Sequence, residues 1–400
     1  MSKKIAIIGA GPAGLFSAYL LLKAGFEVAL YDQSSGVAKK FLIAGNGGLN
    51  LTHSEDLDRF AKRYGKDEVL FRRLLHAFSP EDLRSWCQEI GIETFVGSSG
   101  RVFPKEMKAG KVVVNWLNSL KEYDQFSLHL KHRLKELKSG RHLILEGTEG
   151  DVEVKADFII LALGGASWKK TGSDGEWKAL LDGQDIEVKE FKAMNCGFER
   201  EWSSFFIQSV DRAPFKHVEI SLHSHKAKGD LMITPYGVEG GVIYALSHLI
   251  RDEIEKHSKT TIYIDLFPNL SREEILEKIE NKPKKTSLSN YLRKALRLNK
   301  SGFILLKELL EPETFQNMDL LSKALKEIPL PLTGVRPLDE AISTSGGVGF
   351  NEVDDQFQVK KLPGLYAIGE MLDYEAPTGG YLLQGCFSSA YVACQSIINS

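Results

Sequence analysis

The two ends of this 400-residue chain read as two halves of one nucleotide-binding sheet. Residues 5–14, IAIIGAGPAG, are an apolar run that breaks into a GxGxxG turn. Residues 364–385, GLYAIGEMLDYEAPTGGYLLQG, hold another short apolar run that ends in a glycine–acid pair and a double glycine. Either element alone is a weak signal. Together, separated by nearly the whole chain, they require the chain to leave a nucleotide-binding domain, build something else and return.

Ile5–Ile8 is the kind of continuous apolar run shown by a parallel strand buried on both faces. Gly9, Gly11 and Gly14 follow at the fingerprint spacing: Gly9 for the tight turn, Gly11 for close approach to a pyrophosphate, Gly14 for packing of the helix on the strand. A helix from Pro12 to about Lys23 then aims unpaired N–H groups and its positive dipole end at the phosphates. The strand Glu27–Tyr31 leads into Asp32, where an acid accepts ribose hydroxyls and disfavours a 2′-phosphate. The opening MSKK, followed by a nearly uncharged run to Leu22, also has the look of a secretory leader or a membrane span. The glycine spacing and the timely arrival of Asp32 argue against both, and the expected location is cytoplasmic.

Composition supports that expectation. A net charge of -2 implies no strong attraction to nucleic acid or to an anionic membrane, and the basic groups Lys282–Lys285 and Arg293, Lys294 and Arg297 read as solvated helix surface. Cys87, Cys196, Cys386 and Cys394 form no CxxC pair, which argues against both a disulfide framework and a dithiol relay. The expected partner is a small molecule.

A chain this long exceeds a single core, so more than one domain is expected. Strands are expected at His142–Glu146, Val152–Val154 and Phe158–Leu163, the last running into Gly164 and Gly165 beside the cofactor. ASWKKTGSDG follows with no further GxGxxG, which disfavours a second Rossmann domain for a nicotinamide. Alternation at Val218–Leu222 and Ile262–Leu266 has the period of half-buried antiparallel strands. From Ser271 the pattern turns helical: Ser271 and Glu274 form a capping box, and further helices are expected over Leu288–Leu298, Gly302–Leu310 and Asp319–Ile328 before Pro329 and Pro331 end the run. The predicted layout is a discontinuous nucleotide-binding domain over 1–190 and 335–400, a β-barrel insert over 191–270 and 328–334, and a helical subdomain over 271–327.

The returning strand Leu365–Ile368 places Glu370 at its carboxyl end, where ligands of open α/β sheets sit, and an acid there suits the ribityl hydroxyls of a flavin. Pro377–Gly380 precede an apolar helix that begins near Tyr381. Backbone N–H groups at that helix start suit the pyrimidine edge of a flavin and the anion formed there on reduction, and glycines let the backbone approach the ring.

On these residues the chain resembles a family of bacterial flavoproteins, the NAD(P)/FAD-dependent oxidoreductases that include aminoacetone-oxidase-like and bile-acid-inducible proteins. The segments carrying the resemblance are GAGPAG, KKFLIAGNGGLNLTH (39–53), RVFPKEMKAGKVV (101–113), ALGGASWKKTGSDG (162–175) and GLYAIGEMLDYEAPTGGYLLQGCFSSA (364–390). It implies an α/β fold with a Rossmann-like, glutathione-reductase-like FAD domain interrupted by a β-barrel that carries a helical subdomain. By position it puts FAD against Gly9, Gly11, Ala13, Gly14, Asp32, Gln33, Lys40, Gly45, Asn46, Gly47, Gly164, Gly369, Glu370, Gly380, Tyr381 and Leu383. The chain departs from the family where relatives have GGGRCN, reading Gly45-Asn46-Gly47-Gly48-Leu49-Asn50, and where they have THxGxSGP, reading Thr234–Gly241 as TPYGVEGG. These departures mark a divergent subgroup.

A flavin handles the hydride itself, so the protein need supply only orientation, a proton and electrostatics. Glu239 and Glu375 are the candidate proton donors. Arg101 and Lys105, in RVFPK, are candidates to hold a substrate carboxylate or a nucleotide phosphate, with a surface ion pair as the competing reading. His217, His223 and His225 lack a further ligand, so no metal is expected. The expected activity is an FAD-dependent oxidoreductase acting on a small organic substrate, with diffusible NAD(P)H or oxygen as the second redox partner. The alternative is an FAD-binding redox sensor without useful turnover. An RNA-modifying flavoenzyme is disfavoured by the acidic balance and the lack of a basic stripe in the sequence.

Overall fold

Five parallel strands, β1 (Lys4–Ile8), β2 (Glu27–Asp32), β3 (Phe126–Leu130), β4 (Phe158–Leu161) and β5 (Leu365–Ala367), pair in the order β5-β4-β1-β2-β3. Ile8 stands level with Tyr31 on one side and Leu161 on the other, and Leu161 with Ala367, so strands from both ends of the chain finish at one edge of the sheet. Ile5–Ile8 and Ile159–Leu161 are almost completely buried, as a sheet covered on both faces requires. The computed structural model describes residues 2–45, 48–211 and 213–400, which form two compact units: Met1–Lys192 with Leu338–Ser400, and Ala193–Pro337. Asn46 and Gly47 lie outside the described residues.

In the first unit, α1 (Pro12–Lys23) starts on Pro12, whose fixed φ suits the first helical position, and ends at Gly25 in the left-handed region, φ 88°. It is apolar around most of its circumference because it is covered on both sides. α2 (Lys39–Ala44) follows β2, and α3 (Tyr381–Ile398) lies against α1, with the Phe16 and Phe387 rings edge to face at 5.2 Å. Trp86 and Trp116 complete that aromatic cluster. A three-stranded meander, Arg133–Ser139, His142–Gly147 and Gly150–Lys155, stands beside the main sheet.

The second unit is built on a seven-stranded antiparallel sheet. Its two terminal strands, Ile328–Leu332 and Gly334–Val335, are separated only by Thr333. One run of chain therefore pairs with Thr260–Asp265 through its first half and with Phe198–Glu199 through its second, and closes the sheet into a barrel. Pro329 and Pro331 lie beyond the end of the helical run, inside this strand. They occupy alternate positions of the strand, so both missing N–H groups fall on the same side of the ladder. The helix expected to reach Ile328 accordingly ends earlier, at Met318–Lys326. The Ser271–Glu274 capping box is formed reciprocally, at 2.7 and 3.1 Å, and starts the helix Arg272–Ile279. Among the described residues no helix is long and apolar enough to cross a membrane.

Candidate functional site

The carboxyl ends of β1, β2 and β4 open onto a cleft of 370 Å³ whose walls include Gly9, Gly11, Asp32, Gln33, Lys40, Gly164 and Glu370. The turn after β1 is shaped by two glycines with different duties. Gly9 has φ 108°, and a Cβ on it would fall 2.2 Å from the Ala162 carbonyl oxygen, so the turn packs directly on the end of β4. A Cβ on Gly11 would meet no protein atom within 4 Å, so its missing side chain leaves room on the cleft side. No side chain caps α1 and its first turn carries no acid, which leaves its amide donors and positive end for an anion.

Asp32 fixes this turn. Ala10 N–H donates to Oδ2 and Ser34 N–H to Oδ1, both at 2.7 Å, and each oxygen keeps a lone pair for a ligand hydroxyl. Gln33 reaches across to the loop after β4, donating to the Gly172 carbonyl at 2.7 Å and to Asp174 at 3.1 Å. On that loop Ser173 is 7 % exposed and lines the cleft, yet its hydroxyl has no hydrogen-bond partner within the protein. A buried orphan hydroxyl facing a cleft is the mark of a missing polar ligand. Sequence reading passed over Ser173, although it stands within a quoted motif, because serine carries no distinctive spacing.

Lys40 and Glu370 meet at the far side of the cleft. Lys40 Nζ lies 2.9 and 3.0 Å from the two Glu370 oxygens and 2.8 Å from Ser167 Oγ. Gly164 accepts a hydrogen bond from Trp177 Nε1 at 3.1 Å, and the following loop is held by Thr344 Oγ1, which accepts from Ala166 N–H at 3.0 Å. These features suit a dinucleotide: open space at Gly11, an uncapped helix end, an acid at the ribose position and an unpartnered hydroxyl.

The remaining assigned residues support the cleft from behind or stand apart from it. A Cβ on Gly369 would come within 2.9 Å of the Ala13 Cβ, so these two residues seat α1 against the end of β5, and Gly14 packs on the Gly9 carbonyl. Gly45 caps α2 at its carboxyl end, and Leu383 packs on the core. Gly380 is the N-cap of α3 and lies against the backbone of Thr52. The Tyr381 side chain is 5 % exposed, stacks on His53, and donates its hydroxyl to Glu55. Burial and Glu55 together raise the Tyr381 phenol. Burial would also raise Glu55, but the two-pronged Arg63 contact and the Tyr381 hydroxyl outweigh it and hold that carboxyl low.

Arg101 lies on the strand Arg101–Pro104, opposite His53 and beside Gly379. Lys105 points elsewhere, into an exposed ion pair with Glu93 at 2.7 Å. Glu375 is half-buried near Asp67, whose Oδ2 is buried without a hydrogen-bond partner; burial, opposed by Lys66 and reinforced by Asp373, lifts the Asp67 carboxyl to about 6. In the second unit Glu239 accepts a hydrogen bond from Tyr236 at 2.7 Å, and the Arg336 guanidinium sits 4.2 Å over the Tyr236 ring.

Comparison with known proteins gives the following. The model of the HI0933-like protein Rossmann domain matches residues 3–396. A 3-dehydro-bile acid delta(4,6)-reductase of Clostridium scindens is 25 % identical over 413 residues, covering 98 % of each chain. A ribosomal RNA dihydrouridine synthase of Haemophilus influenzae is 23 % identical over 98 % of this chain and 97 % of that one. Among solved structures, a 3-ketosteroid-delta4-(5alpha)-dehydrogenase from Rhodococcus jostii RHA1 superposes with a TM-score of 0.52 at 14 % identity, over 98 % of this chain and 97 % of that one. The last likeness is one of fold.

Proposed function

Because the chain belongs to the HI0933-like Rossmann-domain family, we propose that it is an FAD-dependent oxidoreductase acting on a small organic substrate, with NAD(P)H or oxygen as the second redox partner. The observation that carries this reading is the cleft at the carboxyl edge of the parallel sheet, with Asp32 at one end and the Lys40–Glu370 pair at the other. The α1 amides and Gly11 would hold the pyrophosphate, Asp32 and Ser173 the adenosine end, and Glu370 the ribityl chain. The first-turn amides of α3, behind Gly380, would face the pyrimidine edge. When bound, the flavin supplies hydride acceptance and donation.

The chain's own residues then have three tasks. Lys40 orients Glu370 by donating to both of its oxygens, whose remaining lone pairs are left to accept from hydroxyls. Glu375 and Glu239 are the proton donors proposed for the reaction, and Tyr236 orients Glu239. Arg101 is the anchor proposed for an anionic substrate group; Lys105 would first have to leave Glu93. A second reading, reduction of a base within RNA, is favoured by the relative from Haemophilus influenzae.

Anaerobic mixing of the purified yellow protein with NADH and with NADPH tests the main reading. Rapid bleaching with either nucleotide supports a reductase, and peroxide release on aerobic turnover of a substrate panel supports an oxidase. Neither response would leave FAD binding without turnover as the better account.

A further inference from the structure

The first turn of α3 is gripped by groups from several parts of the chain. Its N-cap, Gly380, has φ 95° and no side chain caps the turn, so the direction of its amides is set by what holds the residues just behind the cap. The Tyr64 hydroxyl donates to the Tyr381 carbonyl at 2.7 Å, and the Tyr374 hydroxyl to that of Leu382 at 3.4 Å. The Tyr381 side chain is gripped separately. Its hydroxyl donates to Glu55 Oε1, and its ring stacks on His53 with 5.4 Å between centroids.

The acid that receives this hydroxyl is matched by a base. Arg63 Nε and Nη2 donate to the two Glu55 oxygens at 3.0 and 2.9 Å, and the Glu55 side chain is only 12 % exposed. One short helix builds the pair: Asp56 is the N-cap of Leu57–Lys62 and Arg63 its C-cap, so Glu55 and Arg63 stand about two turns apart on one face. Glu55 N–H donates to His53 Nδ1 at 3.1 Å, which ties the acid to the ring stacked on Tyr381. A lone carboxylate here would oppose any other anion drawn to the positive end of α3. Paired with Arg63, Glu55 offers the phenol an acceptor and leaves that end its positive field. The combination suits a site where negative charge develops only on reduction.

We propose that Glu55 is a positioning residue for the flavin: with Arg63 as its counter-charge, it holds Tyr381 so that the first-turn amides of α3 stay aimed at the pyrimidine edge, and it thereby raises the potential of the bound cofactor. This role rests on the flavin reading above and extends it to how the potential is set. Arg63 acts by cancelling the charge of the acid, and Tyr381 by carrying the grip into the helix.

Midpoint potentials of the FAD-loaded full chain, measured by dye equilibration at one low ionic strength, test it. Tyr381→Phe, which removes only the hydroxyl, and Arg63→Gln, which leaves the acid uncompensated, are each expected to lower the preference for reduced over oxidised flavin at least about tenfold, a fall of about 30 mV for a two-electron couple. Glu55→Gln keeps an acceptor for the phenol and leaves Arg63 positive, so its potential is expected not to fall. A role confined to folding would not separate these variants in this way, since all three weaken one contact. Tyr19→Phe is the control: Tyr19 donates to Glu89 at 2.8 Å beside Lys23, the same three groups, where α1 runs past the later part of α3 at Cys394. It is expected to keep the parental potential. Tyr381→Phe retains the ring and its packing, and decides the matter if Arg63→Gln does not fold. The proposal is overturned by a parental potential in Tyr381→Phe, by a fall in Glu55→Gln as large as in Tyr381→Phe, or by an equal fall in Tyr19→Phe. A parent chain that takes up no FAD overturns the flavin reading and this role together; a yellow parent with unmoved variants overturns the role alone.

Discussion

Lys40 and Glu370, 330 residues apart in sequence, form an ion pair at 2.9 Å that joins the helix after β2 to the strand end after β5. With side chains only 20 % and 11 % exposed, the pair is shielded enough for loss of one partner to matter. Lys40→Met is expected to destabilise the chain by about 2 kcal/mol, below the range for fully buried pairs, and Lys40→Met with Glu370→Leu to recover part of that loss. Urea denaturation of the parent, of Lys40→Met and Glu370→Leu singly, and of the double variant measures the coupling; a double variant as unstable as the sum of its singles contradicts it.

Gly9 and Gly11 separate folding from binding. Gly9→Ala sets a methyl against the Ala162 carbonyl in a left-handed backbone and is expected to cost about 3 kcal/mol or more, or to abolish soluble expression. Gly11→Ala meets no protein atom, so its thermal midpoint without cofactor is expected to match the parent while FAD affinity falls by at least about tenfold, about 1.4 kcal/mol. Equal FAD affinity in Gly11→Ala would remove the pyrophosphate from that position.

Ser173→Ala should change sign between the free and loaded protein. Removing an unpartnered buried hydroxyl is expected to raise the stability of the cofactor-free chain by up to about 1 kcal/mol, and to weaken FAD binding by a similar amount. Thermal melts with and without FAD read both effects, and a variant destabilised in both states would show that the hydroxyl serves the protein itself.

Asp67 makes stability fall as pH rises. Its carboxyl is lifted by burial from 3.8 to about 6, so across that interval the unfolded chain ionises while the folded one holds its proton. The unfolded state then binds fewer protons, and the contribution, present below about pH 4, is lost as pH climbs through 6. Allowing for solvent around a half-buried group, Asp67→Asn is expected to gain about 1–2 kcal/mol on the parent between pH 4 and pH 7. Identical pH profiles for the two proteins would place the Asp67 proton elsewhere.

What the sequence made legible was whatever local geometry dictates. The run from β1 through the glycine turn, α1 and β2 was readable nearly to the residue, since each part has its own chemical signature, and so was the Ser271–Glu274 cap. The start of α3 at Tyr381 followed from the double glycine. Relationships that depend on tertiary placement were not readable. The resemblance assigned Lys40 to the cofactor, but nothing in KKFLIAG says that its partner is Glu370. The helix Ala109–Lys121 went unassigned because it starts at a lysine with no side-chain cap, and Ile328–Leu332, though placed in the barrel insert, was not legible as a strand because alternate prolines show only a helix stop until a partner strand shows which side needs donors. Ser173 escaped for the same reason: its meaning lies in what surrounds it.

The sheet that carries the cleft draws β1 from the first residues of the chain and β5 and α3 from the last. A ribosome must therefore deliver every residue from β1 through α3 before the pocket can exist, and the growing polypeptide must keep the apolar β1 and α1 from aggregating over that interval. Cofactor loading is in this sense a checkpoint on synthesis through α3: a product cut short before residue 365 lacks the closing strand and the helix behind it, and is expected to emerge colourless.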